Sequence, residues 1–144
     1  MREPSEDHAN LVKVMLGDPL RRAALLAVAT CGIPTAAIAA GFVRDAIWDD
    51  QHGYGIRPPL GDVDVVFHDP TQTDPARDRS IEQQLRDRIP QLDWSVKNQA
   101  RMHDRNGDQP YADVGHAMSH WPETATAVAV TRVREGDLRI VAPF

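Results

Sequence analysis

The chain has 144 residues, 42% of them apolar and 26% charged, and a formal net charge of −5. That length suits one domain, expected here over residues 1–144. An acidic balance without a basic run argues against long DNA or RNA as a partner, since phosphate contacts from Lys and Arg carry that binding. One cysteine, Cys31, rules out an internal disulfide or a multi-cysteine zinc site. No apolar run approaches the ~20 residues that cross a membrane. The N-terminal MREPSEDHAN is charged and has no apolar signal region, so a cytoplasmic protein with no membrane partner is expected.

Two helices are predicted to open the chain. The first covers about residues 6–16, with Leu11, Val12, Met15 and Leu16 as its apolar positions. Asp18 caps the second and Pro19 takes its first position, a pairing suited to a helix start. Gly32 follows its end near Thr30. Residues 35–40 form a short apolar strand, Gly41 a turn, and residues 42–50 a helix with Val43, Ile47 and Trp48 facing inward. Residues 51–61 carry three glycines and two prolines and read as a loop. The clearest strand is DVDVVFH, residues 62–68. Asp74–Pro75 repeats the cap-then-proline start, and that helix ends near Ile89. A strand over 92–98, a short helix over 100–106 stopped by Gly107, and a helix capped by Asp113 and reaching Trp121 come next. A hairpin over 126–134 and 138–142 closes the chain. Strands alternating with helices predict an α/β (α+β) domain around one mixed sheet.

The segment from Gly41 to His68 carries the chemistry. Asp62 and Asp64 are two apart on a strand, so both carboxylates point to one face. Their mutual repulsion is relieved by a cation between them. Mg²⁺ (or Mn²⁺) suits such a pair, because it takes one or two carboxylates and completes its shell with water and phosphate oxygens. Alone, Asp-x-Asp also describes a solvated strand edge. Gly41 weighs against that reading: a glycine at a strand-to-helix turn lets a phosphate approach the backbone, at a helix start with free N–H groups. Arg44, in the first turn of that helix, is disfavoured there by the dipole and so calls for an anionic partner.

The run A-G-F-V-R-D at Ala40 to Asp45, followed by D-V-D-V at Asp62 to Val65, resembles the DNA polymerase β-like nucleotidyltransferase superfamily. Its Val-Arg-Asp element is similar to that of the CCA-adding and poly(A) polymerase branch. Trp94 to His103 (WSVKNQARMH) and Trp121 to Ala127 (WPETATA) resemble a small bacterial nucleotidyltransferase-like family. The resemblance covers about residue 25 onward. It implies a nucleotidyltransferase-like mixed sheet flanked by helices, and a metal-dependent transfer of a nucleoside monophosphate from an NTP to an unknown small-molecule or protein acceptor. Gly41 and Arg44 would hold phosphates and Asp62 and Asp64 the metal. Lys97, Asn98 and Arg101 would line the acceptor or base side. It further implies a third carboxylate on a neighbouring strand.

Three features depart from that pattern. Where Gly-Gly or Gly-Ser is usual at the turn, the pair here reads Ala40-Gly41 or Gly41-Phe42. The loop before Asp62 is long. The strand over 92–98 has Asp93 as its only acid, with Asp93, Ser95 and Lys97 on one face and Trp94, Val96 and Asn98 on the other. Asn98 stands where an acid is expected, which implies slow or acceptor-restricted transfer. The alternative is a catalytically impaired nucleotide-binding or regulatory module. Relatives continue past Pro143–Phe144, which points to a shortened C-terminus. The four-residue spacing of His116 and His120 permits a metal, but the intervening AMS carries no glutamate. The charged helix over 77–88 reads as a solvated face with local ion pairs.

Overall fold

A computed structural model describes residues 4–33, 35–39, 41–53, 55, 57, 61–121, 128–134 and 136–141. Ala40, the WPETATA run beyond Trp121, part of the 51–61 loop and the C-terminal Pro143–Phe144 lie outside the described residues. Helices α1 (Pro4–Gly17) and α2 (Pro19–Ala29) precede strand β1 (Ala37–Ala39). Then come α3 (Gly41–Gln51), β2 (Asp62–Phe67), α4 (Pro75–Arg88) and β3 (Asp93–Asn98). A 3-10 turn (Gln99–Arg101), α5 (Met102–Asn106), α6 (Val114–Met118) and the strands β4 (Ala129–Arg134) and β5 (Asp137–Val141) complete the chain. This is the predicted order of elements.

The helix starts follow from their caps. Asp18 Oδ1 accepts from the Leu20 N–H at 3.2 Å, and Asp74 Oδ1 accepts from the Ala76 N–H at 2.9 Å. Each satisfies a donor the first turn leaves free, and Pro19 and Pro75 occupy the position where a missing N–H costs nothing. At the other ends, Gly32 (φ 88°) follows α2 and Gly107 (φ 70°) follows α5, left-handed conformations that favour glycine.

The sheet runs β3-β2-β1-β4-β5. Strands β2 and β3 are parallel and joined through α4, and the other neighbours are antiparallel. Alternation along the strands divides the side chains between two faces. On one face Ile38, Val63, Val65, Phe67, Trp94, Val96, Val130 and Leu138 meet apolar residues of α1 to α4 in the main core. The other face carries Ala37, Ala39, Val66 and Ala129, covered by Val114 and Met118 of α6 and by Trp121. Three of those four floor residues are alanines, so this second face lies low and its cover is short.

Two expectations need correction. Trp48 is 54% exposed and stacks on His52 rather than facing inward. The inward stripe of α3 is Phe42, Val43, Ala46 and Asp49, the i, i+1, i+4, i+7 set of one helix face, and Trp48 falls off it. Helix α6 also ends at Met118, short of Trp121, where Ser119 takes over as C-cap.

Candidate active site

Strand register brings the acidic pair together with its neighbours. Asp62, Asp64 and Val66 share the open face of β2, opposite to Val63, Val65 and Phe67. On β3, Asp93 pairs with Asp62, Ser95 with Asp64 and Lys97 with Val66, so Asp93, Ser95 and Lys97 share that open face. On the other side Ala39 pairs with Asp64. Gly41 starts α3 two residues after Ala39, and α3 packs against both β1 and β2. The glycine turn is thereby placed at the Asp62–Asp64 end of the sheet.

Charge at this end is unbalanced. The Asp64 carboxyl is held above its ordinary range, first by burial and then by the like charge of Asp62, with Lys97 opposing both. Asp62 is exposed and Asp64 half-buried. Two carboxylates on one face, one of them desolvated, form a hard-oxygen donor set that gains from a divalent cation. Among the described residues no cluster of three or more His, Cys, Asp or Glu side chains is poised around one point. Asp93 stands across from Asp62, but its side chain is 70% exposed and leans 3.9 Å from Arg86.

Arg44 lies 3.6 Å from Asp45 through its Nε. A Cβ built on Gly41 would meet Arg44 Nη2 at 3.5 Å and Asp45 Oδ2 at 3.6 Å. The guanidinium therefore folds back over the glycine at the start of α3, where free backbone N–H groups favour an anion.

The remaining sequence candidates separate. Lys97 is exposed on the face of Asp64, and its field reaches that carboxyl. Asn98 is on the other face and wholly buried. Its Oδ1 accepts from the N–H groups of Asp69 and Ala100, and its Nδ2 donates to the carbonyls of Asp69 and Gln72. Its amide ties down the chain after β2 and after β3, and it does not line the cleft. Arg101 follows β3 and pairs with Asp78 of α4, beyond the end of β3 opposite to Asp93. Asp78, which also accepts from the Asn98 N–H at 3.1 Å, is itself buried, so α4 is more than a solvated face.

Two residues that frame the site were missed by the sequence reading. Arg21 is completely buried. Its Nε donates to the Phe42 carbonyl at 3.0 Å, and its Nη1 donates to Asp18 Oδ2 at 2.7 Å and to the Arg57 carbonyl at 2.8 Å. Asp49, also buried, accepts from Arg57 N at 3.1 Å and Nε at 3.0 Å. These Arg57 hydrogen bonds hold the Asp49 carboxyl below its ordinary range. Together they fasten the first turn of α3 to the loop that leads into Asp62. The signal was present: Arg21 sits with Ala24, Leu25 and Val28 on one helix stripe, and Asp49 with Phe42 and Ala46 on another. A charge on an apolar stripe has to find a partner.

A mixed sheet with α1 to α4 on one face and the short α6 on the other, a glycine turn opening a helix, and a carboxylate pair on the adjoining strand define a nucleotidyltransferase-like α/β protein. The comparisons agree: the nucleotidyltransferase family model matches residues 26–144, and the chain belongs to that family. A solved structure described as "The NMR structure of the protein reveals a CCA-adding enzyme head domain" is similar over 93% of this chain and 70% of that one, at 30% identity and a TM-score of 0.80. No curated protein matches. Among the described residues no helix is long and apolar enough to cross a membrane.

Proposed function

We propose that this protein is a divalent-metal-dependent nucleotidyltransferase, working in the cytoplasm, that moves a nucleoside monophosphate from an NTP to a small-molecule or protein acceptor. The observation that carries the reading is the shared face of Asp62 and Asp64, with the Asp64 carboxyl held up by burial and by its neighbour. In this reading Asp62 and Asp64 hold Mg²⁺ or Mn²⁺. The ion supplies charge neutralisation to the phosphates and to the attacking and leaving oxygens. Gly41 and the following backbone receive the triphosphate at the start of α3, and Arg44 closes over it. Lys97 adds positive charge beside Asp64. Arg21 and Asp49 act from behind, keeping the glycine turn and the Asp62 strand in one geometry, as in-line transfer requires.

A long nucleic acid is left out of this reading because the net charge is −5. A submicromolar affinity for RNA that falls steeply with salt would contradict that part. The second reading, a nucleotide-binding module with impaired turnover, is favoured by one observation: Asp93, the acid across from Asp62, is largely exposed and turned toward Arg86. Metal-dependent release of pyrophosphate from an NTP separates the two, and release untouched by Asp64→Asn overturns the first.

A further inference from the structure

Trp121 lies on the same sheet face as the acidic pair. Its ring packs against the cluster of Ala37, Ala39, Val66, Val114, Met118 and Ala129. Two members of that cluster adjoin Asp64: Ala39 is its cross-strand partner, and Val66 is the next residue on its own face of β2. Residues 95 and 99 are about 13 Å apart along an extended chain, and Ser95 is the partner of Asp64, so the indole, held at Gln99, lies further along this face from the carboxylates. Its Nε1–H donates to Gln99 Oε1 at 3.4 Å, and Gln99 Nε2 donates to the Lys97 carbonyl at 3.4 Å. Gln99 is buried, so the ring is steered toward the Lys97 side of the face while part of it stays exposed.

Among the described residues, the other aromatic rings near the sheet are committed elsewhere. Trp94, Phe42 and Phe67 are buried in the main core. Trp48 is on α3 and stacks on His52. Tyr111 is buried and stacks on His120. Among the described residues Trp121 is the partly exposed aromatic side chain packed on the sheet face that carries Asp64. A partly exposed ring, packed behind by apolar residues and held at its polar edge, is what a nucleobase stacks on, because every base offers a π face.

We propose that Trp121 is the nucleobase platform, positioned by Gln99 and flanked by Lys97. This rests on the reading of Asp62 and Asp64 as the metal–triphosphate site. It makes the protein tolerant of base identity, since stacking discriminates weakly and no base-edge contact is invoked. The bland alternative is that the indole only covers the alanine floor.

The test titrates wild type, Trp121→Leu and Trp121→Phe with ATP, GTP, CTP and UTP in Mg²⁺, and with inorganic tripolyphosphate in Mg²⁺. Leucine keeps an apolar cover and removes the π face; phenylalanine restores one. The expected result is that Trp121→Leu weakens all four nucleotides about 5- to 150-fold, leaves tripolyphosphate unchanged, and is largely rescued by Trp121→Phe. Equal weakening of nucleotides and tripolyphosphate would show packing alone and overturn the platform. Unchanged nucleotide affinity in Trp121→Leu would do the same while leaving the metal–triphosphate reading intact. Wild-type protein that binds neither nucleotide nor tripolyphosphate would overturn that underlying reading, and the platform with it.

Discussion

Asp62 and Asp64 make opposite demands on the empty and the loaded protein. Without a cation, their proximity and the burial of Asp64 raise the Asp64 carboxyl above its usual range. Asp62→Asn removes the like charge, so the apo protein is expected to gain about 0.5 kcal/mol, the scale of a partly exposed charge pair. At this chain length that is a rise of about 1–2 °C in Tm. The same change removes half of the donor set, and metal-dependent nucleotide binding is expected to be lost. Calorimetric melting of the apo variant and titration with MgATP measure the two halves. A variant that melts below wild type, or that binds MgATP as wild type does, would show that the pair is not a strained metal site.

At the scale of elements, the chain is legible wherever local chemistry decides. The Asp-Pro starts of α2 and α4 are visible as caps, and they rank in strength. Asp74 only caps, while Asp18 caps and also receives the buried Arg21. Asp74→Ala is expected to cost about 1 kcal/mol, the usual loss of a cap. Asp18→Ala is expected to cost about 3 kcal/mol, since it also leaves a buried guanidinium short of its counter-charge. Urea midpoints of the two variants decide the order, and equal losses would remove Arg21 from its place as the clamp behind α3. The glycine turn and the acidic strand were legible for the same local reason. The role of Asn98 was not: strand alternation put it opposite to Asp93, but three of its four backbone partners, on Asp69 and Gln72, belong to a segment that meets it only in the fold. The inward turn of Trp48 was misread because apolar character was weighed above its place on the helix face, which belongs to Asp49. The network of Arg21, Asp49 and Arg57 joins residues up to 36 apart in sequence, beyond the reach of any periodicity.

Over the whole molecule, the carboxylates set how the fold responds to acid. Asp69 is lowered to about 2 by the Thr71 hydroxyl and then Arg77, and Asp49 is lowered by Arg57. Acids with depressed folded values contribute stability above their unfolded value, near 3.8 for Asp69, and lose it as pH falls through the folded one. Asp64 has the opposite sign: its penalty appears as pH rises from 3.8 through its raised value. Stability is therefore expected to fall between about pH 4 and pH 2, and Thr71→Val is expected to shallow that fall. Urea midpoints across this range check it, and an unchanged slope in Thr71→Val would refute the assignment to Asp69.

The central claim, transfer of a nucleoside monophosphate at Asp62 and Asp64, is tested most directly by pyrophosphate release. Each of the four NTPs is incubated with Mg²⁺ or Mn²⁺ and a mixed small-molecule and protein extract as acceptor. Wild type, Asp64→Asn and Asp93→Asn are compared, with extract alone as the background. The account predicts slow, metal-dependent release by wild type that Asp64→Asn abolishes. Loss in Asp93→Asn as well would make the acid across from Asp62 the third carboxylate. Nucleotide binding without any release above background, or release that survives Asp64→Asn, would contradict the account.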